Sequence, residues 1–408
     1  MSGTRGRRLG FLVVVGLASG VPNRLVGDTL TSWLTLAGVD VKTIGLFALV
    51  SLPYNVKFVW APLLDRFRPA RLGRRRGWIV LFGIACAAAL VALGGMDPSV
   101  APARVALVAL GVALLSASLD VAVDAYRTDL LVPAERGPGA AAYVAGYRAA
   151  MVATGAGALA LSAVVPWTSV YVLFAVLLAG AALLSALAPE PDDPGRPPAT
   201  LRAAVWDPIR DLARRPGAGA LLAFVLLYRI GEGVLATLFP NFLLGDYSRL
   251  QVAVLQQGFG MAATVVGAII GGALLARVGT GRALLWFGGV SAATNLLYAW
   301  MATRDPSLPF LAAALTVDNV ANGLAVAAFV AFLMSQCQAT FSATQYAFLS
   351  ALSSVAGRLL TPFAANLAHW SWPVFFAATA AAGLPSLLLL RWAADAHPVL
   401  APPEKSGT

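Results

Sequence analysis

The chain is poor in charge: only 12% of its 408 residues are Asp, Glu, Lys or Arg, while 59% are hydrophobic. A water-soluble protein of this size carries roughly 25% charged residues on its surface. That shortage excludes a globular domain solvated by water alone and makes the bilayer the solvent of most side chains. Cysteine is nearly absent. Cys86 and Cys337 both lie inside or beside apolar runs, which excludes a disulfide framework. The two histidines, His369 and His397, lie near the ends of segments. No His-Glu-x-x-His zinc motif and no phosphate-binding loop occurs, so neither a metal site, a cofactor site nor direct nucleotide drive is expected, and the chain does not read as an enzyme. Acidic residues are scarcer than basic ones, 19 against 29. The resulting +10 is not a nucleic-acid signature, because the arginines sit in short clusters between apolar runs, as they do in loops on the cytoplasmic side of a membrane.

What is present is long apolar runs. A helix needs about 20 residues to cross a hydrocarbon core of roughly 30 Å. Runs of that size fall near 9–36, 43–64, 77–95, 104–127, 139–165 and 169–188, and again near 217–243, 251–276, 283–303, 308–337, 344–368 and 372–392. They predict an all-α membrane protein of twelve transmembrane helices. Arginine is concentrated in alternate loops (Arg5, Arg7 and Arg8; Arg66 through Arg76; Arg127 and Arg136; Arg196 through Arg215; Arg277 and Arg282), which predicts both termini on the cytoplasmic side. The opposite loops carry Lys42, Arg104, Arg249 and Arg304. Three parts follow: a six-helix bundle over 1–188, a linker over 189–216 and a second six-helix bundle over 217–408. The linker opens Pro-rich and continues with Leu201, Val205, Ile209 and Leu212 among arginines, the pattern of an amphipathic helix on the bilayer surface.

The two sets of six repeat each other. Ala61-x-x-x-Asp65-Arg66 and Gly73-Arg74-Arg75 follow the second run; Gly272-x-x-x-Ala276-Arg277 and Gly281-Arg282 follow the eighth. The fifth run holds Ala145-Gly146-Tyr147-Arg148 and the eleventh Val355-Ala356-Gly357-Arg358. The fourth reads Leu119-Asp120-Val121-Ala122-Val123-Asp124, the tenth Val317-Asp318-Asn319-Val320-Ala321-Asn322. Two pseudo-symmetric six-helix bundles in a parallel repeat resemble the major facilitator fold.

A charge at the bilayer centre costs about 2.5–3.5 kcal/mol on insertion scales, so it persists where it pairs or faces a wet cavity. Arg24 and Asp28 lie on the first run, Lys57 on the second, Asp120 and Asp124 on the fourth, Arg148 on the fifth, Arg229 and Glu232 on the seventh, Asp318 on the tenth and Arg358 on the eleventh. In the fold implied by the repeat, runs one, four, seven and ten line the central cavity, and most of these charges sit on those four. Asp120 and Arg148 both fall about 12–14 Å from the cytoplasmic ends of their runs, which makes them candidate partners. Asp124 is closer to the rim and can pair with Arg127. The candidate substrate-binding residues are Arg24, Arg229, Asn319, Asn322 and Tyr54, the arginines attracting an acidic solute. The candidate proton-coupling carboxylates are Asp120, Glu232, Asp318, Asp28 and Asp124. Lys57, Arg148, Arg358, Asp65, Arg66, Arg74 and Arg75 read as structural charge partners and gating residues.

Val39-Asp40-Val41-Lys42-Thr43-Ile44-Gly45, Lys57 through Arg66, Leu72 through Trp78, Ser116 through Ala125, Ala134-Glu135-Arg136-Gly137 and Gly146-Tyr147-Arg148 resemble the AmpG muropeptide permeases, as do Ala328 through Met334 and Phe341 through Arg358. The resemblance covers nearly the whole chain. It implies a proton-driven importer of anhydro-muropeptides in the bacterial inner membrane, serving cell-wall recycling, with protons, the solute and the bilayer as partners and a monomeric state. Import of a siderophore or another acidic solute on the same fold, and a membrane sensor or scaffold, stay open.

Overall fold

The computed structural model of the chain describes residues 2–40, 43–44, 47–69, 72–189, 191 and 196–396. Lys42, Arg71 and the linker residues 190 and 192–195 lie outside the described residues, as does the side chain of Arg358. The described residues form helices and turns with no strand among them. Among the described residues, ten helices are long and apolar enough to cross a membrane, from Arg5–Leu36 to Trp372–Leu390. The run at 43–64 forms short helical pieces instead of one rod: Phe47–Ser51, Leu52–Val56, Lys57–Val59 and Ala61–Arg66. Pro53 and Pro62 remove backbone donors there, which favours short turns over a continuous ladder. The run at 283–303 does form one helix, Thr280–Met301, of sufficient length. Its composition is more polar than that of the ten, because Ser291, Thr294 and Asn295 interrupt the apolar stretch.

Two of the crossing segments are broken at corresponding places. The first runs as Ser2–Leu25, turns at Val26-Gly27 and resumes as Asp28–Leu36. The seventh runs as Ala218–Leu227, turns at Tyr228-Arg229 and resumes as Ile230–Asp246. Each break lies beside an arginine, Arg24 or Arg229. Each resumed helix carries a carboxylate, Asp28 or Glu232, in its first turn, where the helix dipole favours negative charge. Discontinuous helices at matching positions of two repeats are how transporter folds open backbone groups to a ligand at membrane depth.

By contacts the chain divides into two compact units. The first comprises Met1–Val132, Ala142–Pro208 and Cys337–Ala347; the second comprises Pro133–Ala141, Ile209–Gln336 and Phe348–Thr408. In the first, Gly16 and Gly20 sit against the backbone at Tyr143 and Tyr147; in the second, Gly267 and Gly271 sit against Val320 and Leu324. A Cβ at Gly267 would lie 2.1 Å from the Val320 carbonyl oxygen, so only glycine permits this approach. Gly267→Ala is therefore expected to force the eighth and tenth helices apart and to cost about 1–3 kcal/mol, the scale of an overpacked core. A lowered thermal midpoint in detergent checks it, and an unchanged midpoint refutes the close-packing argument. Outward faces carry large apolar side chains such as Leu107, Val176, Trp286 and Leu388, each more than half exposed, as a lipid-facing surface requires. The linker forms the helix Leu201–Arg214, on which Trp206 and Ile209 are exposed while Ala204 and Leu212 are buried.

Candidate functional site

In the first unit, the fourth-run helix Pro102–Leu130 is buried without interruption from Ser116 to Thr128, an inward segment that carries every polar group of the cluster on that helix. Asp120 accepts a hydrogen bond from Ser19 and lies 3.9 Å from the Lys57 ammonium. Lys57 is 3.3 Å from Asp124, and Asp124 is 2.7 Å from Arg127. The Arg127 guanidinium stacks 4.2 Å from the Tyr143 ring centre and 4.8 Å from that of Tyr346, and donates to the Tyr346 hydroxyl. Tyr143 also donates to Ser19, at 3.3 Å. Two carboxylates and two cations thus form one buried, charge-balanced chain, extended by three hydroxyls. Tyr54 donates to Ser116 at 2.8 Å and Trp60 to Ser118 at 3.0 Å, which hold the broken second run against the same helix.

The expected partnership of Asp120 with Arg148 is corrected by this geometry. Equal depth along two helices does not fix the faces they turn to each other, and Asp120 is engaged by Ser19 and Lys57 instead. Arg24 pairs with Asp28 across the helix break; the Asp28 side chain is 69% exposed.

A second cluster gathers at the ends of the membrane spans. Asp65 is fully buried. Its Oδ1 accepts from Arg74 Nη2 at 3.3 Å, Arg75 Nη2 at 2.8 Å and the Ala343 amide at 3.2 Å; its Oδ2 accepts from the Thr344 amide at 2.8 Å and the Thr344 hydroxyl at 2.6 Å. Arg75 also reaches Asp129 at 2.7 Å and Ser342 at 2.6 Å. Burial, reinforced by the neighbouring Arg75, pushes the Arg74 guanidinium down to about 10, so it remains charged at neutral pH. The carboxylate receives the free amides at the start of helix Ser342–Trp370, which have no partner within their own helix. The Arg66 guanidinium lies 5.6 Å from the Phe67 ring centre.

In the second unit, Arg229 Nη2 is 3.3 Å from Asn322 Oδ1, and Asn322 Nδ2 donates to Glu232 Oε2 at 2.7 Å. One amide thereby bridges a cation and a carboxylate. Asp318 accepts from the Thr294 hydroxyl at 2.6 Å and the Tyr298 hydroxyl at 3.0 Å. Asn319 stands apart: Thr264 donates to it at 2.9 Å and it donates to the Leu315 carbonyl at 2.8 Å, so its amide is consumed in helix packing. Sequence reading passed over Ser19, Tyr143, Tyr346, Asp129, Thr294 and Tyr298. Thr294, with Ser291 and Asn295, was detectable as a polar interruption of the ninth run; the others needed a fold to bring them close.

Over residues 12–362 the chain matches the family model of the Major Facilitator Superfamily. It is 40% identical over 388 residues to the anhydromuropeptide permease of Escherichia coli strain K12, covering 94% of this chain and 79% of that one. It is 30% identical to the putative transporter AmpG 4 of Rickettsia felis, covering 94% and 96%. Among solved structures, the fucose:proton symporter of E. coli superposes with a TM-score of 0.72 at 13% identity, covering 94% of this chain and 98% of the other. A bacterial homologue of the iron transporter ferroportin superposes at 0.69 and 14% identity, covering 95% and 100%. These distant structures carry the fold, twelve helices in two pseudo-symmetric bundles; the sequence relatives carry the family. The chain belongs to the major facilitator superfamily of membrane transporters and, within it, to the AmpG family.

Proposed function

We propose that the protein imports anhydromuropeptides across the bacterial inner membrane, driven by protons and working by alternating access. The observation that carries this reading is the 40% identity with an anhydromuropeptide permease, sustained over 94% of the chain. The buried charges support it chemically. Arg24 and Arg229, each beside a helix break, supply cationic donors for the carboxylates of a peptide-bearing sugar, and Asn322 and Tyr54 supply neutral ones. Asp120, Glu232 and Asp318 are the proton carriers in this reading, with Asp28 and Asp124 beside them; each sits within reach of a cation or hydroxyl whose interaction changes when the carboxylate is neutralised. Lys57, Arg148 and Arg358 balance charge within the membrane, while Asp65, Arg74 and Arg75 hold the cytoplasmic end. We assign both termini to the cytoplasm, the six-helix bundles to 1–188 and 217–408, the linker to 189–216, and a monomer as the working unit.

Proteoliposomes holding the full chain test the reading. An inward pH gradient is expected to drive accumulation of radiolabelled anhydromuropeptide above its external level, and collapsing the gradient with an uncoupler is expected to abolish it. Accumulation of a ferric siderophore in place of the muropeptide would overturn the substrate assignment.

A further inference from the structure

The linker helix Leu201–Arg214 divides its two sides differently from the apolar stripe of the sequence. That stripe, Leu201, Val205, Ile209 and Leu212, splits: Leu212 is buried, Val205 half-buried, and Leu201 and Ile209 are exposed. Ala204, Pro208 and Leu212, each four residues from the next, form a buried inner side. There Gln345 Nε2 donates to the Pro208 carbonyl at 3.5 Å, and just past the helix Arg215 Nη1 donates to the Gln336 carbonyl at 2.7 Å. The outer side carries Arg202, Trp206, Ile209, Arg210 and Arg214, all exposed and recurring at helical spacing. Trp206 is 54% exposed, which leaves much of an apolar indole outside the protein. Asp211 is held by Arg215, and no ion pair among the described residues engages Arg202, Arg210 or Arg214.

We propose that this outer side binds phospholipids with anionic headgroups. The arginines meet the phosphates, for which a guanidinium is the fitted donor, and Trp206 and Ile209 enter the zone between headgroups and acyl chains, where tryptophan settles in membrane proteins. The helix is held at that level by its connection. Only residues 215–217 separate it from the crossing segment Ala218–Asp246, and Gly217, at φ 70, turns the chain there. A fully extended chain from Arg214 to Ala218 covers no more than about 14 Å, so the last turn stays beside the headgroups. Charge selects the occupant. An outer side with three exposed guanidiniums and no exposed carboxylate repels a second copy of itself and fits a surface of fixed negative charge. Phosphatidylcholine offers its phosphate with a cation attached, so phosphatidylglycerol is preferred. Each arginine near such a surface is worth about fivefold in binding. The inference goes beyond the transport reading and fails separately from it, because its test involves neither solute nor gradient.

Tryptophan fluorescence of the full chain in nanodiscs tests the surface. The signal of Trp206 is the emission of wild type minus that of Trp206→Phe. Two discs of identical phosphatidylglycerol and phosphatidylcholine content are compared, one with the bromine quencher on the anionic lipid and one with it on the zwitterionic lipid. Quenching of the Trp206 signal is expected to be about fivefold or more stronger with the brominated phosphatidylglycerol, and the difference is expected to shrink at high salt. Replacing Arg202, Arg210 and Arg214 together by Gln is expected to remove the preference; all the substituted side chains are exposed, so these variants are expected to fold. Equal quenching in the two discs overturns the proposal. So does a Trp206 signal that neither lipid quenches: if aqueous iodide reaches it, the outer side faces water, and if iodide does not, another protein or a second copy covers it. A preference that survives in the triple variant also overturns the assignment, by placing the anionic lipid elsewhere.

Discussion

Asp65→Ala is expected to yield little or no folded transporter. The carboxylate accepts from two guanidiniums, two amides and a hydroxyl, and it is fully buried. Alanine takes the carboxylate away from those donors in a place water does not reach, leaving Arg74 the Asp65 and Thr340 carbonyls and Arg75 the Ser342 hydroxyl. Breaking one buried ion pair by deleting one partner costs about 3–5 kcal/mol, because the surviving charge stays buried and unpaired. Here two arginines lose the same partner, although Arg75 retains Asp129 at 2.7 Å and Arg74 retains the Ala339 carbonyl at 3.1 Å. A folded protein is stable by only about 5–15 kcal/mol, so the loss is a large part of the whole. Size-exclusion profiles and thermal midpoints of detergent extracts measure it. Asp65→Asn keeps the shape and an acceptor oxygen and is expected to fall between the two. An alanine variant that elutes as a single species with a midpoint within about 2 °C of wild type would refute the role.

Asp120→Asn is expected to uncouple transport from the pH gradient without unfolding the protein. In the ionised state, Asp120 and Asp124 balance Lys57 and Arg127. Neutralising Asp120 releases one positive charge into a sealed cluster, a change the protein can answer only by rearranging or by taking up an anion. Asparagine fixes the neutral form while still accepting from Ser19. Gradient-driven accumulation is expected to drop by about tenfold or more, within the range of a coupling free energy of 1–3 kcal/mol. Exchange of labelled for unlabelled solute, which needs no net proton movement, is expected to persist. Asp124→Asn is expected to behave differently and to lower stability, since Asp124 holds both Lys57 and Arg127. Full accumulation by Asp120→Asn would remove this residue from the coupling scheme. The matching substitution Glu232→Gln probes the second unit in the same assay.

Much of the fold was written locally in the chain. The apolar runs follow from bilayer thickness, and the paired motifs follow from the repeat, so helix class and number needed no long-range information. Asp124 and Arg127 meet because they are three residues apart on one helix, a spacing readable in one dimension. The cluster around Asp65 was opaque for the opposite reason: Thr344 lies 279 residues away, and no periodicity links the two. Ser19 on Asp120 and Tyr346 on Arg127 were hidden in the same way, since serine and tyrosine in apolar runs carry no charge to mark them. Depth estimates misplaced the partner of Asp120 because a helix has a face as well as a height, and rise per residue reports only the height.

The polar stripe of Thr280–Met301 has a consequence for biogenesis. Two of its polar side chains find partners on other helices: Thr294 meets Asp318 on the next helix, and Asn295 meets Thr379 near the end of the chain. On leaving the ribosome this segment is therefore poorly matched to lipid, and Asp318 behind it equally so. Each shields the other once both have emerged. The pair is suited to enter the bilayer as a hairpin, and nascent chains ending just after residue 303 would hold the segment at the interface until its successor arrives.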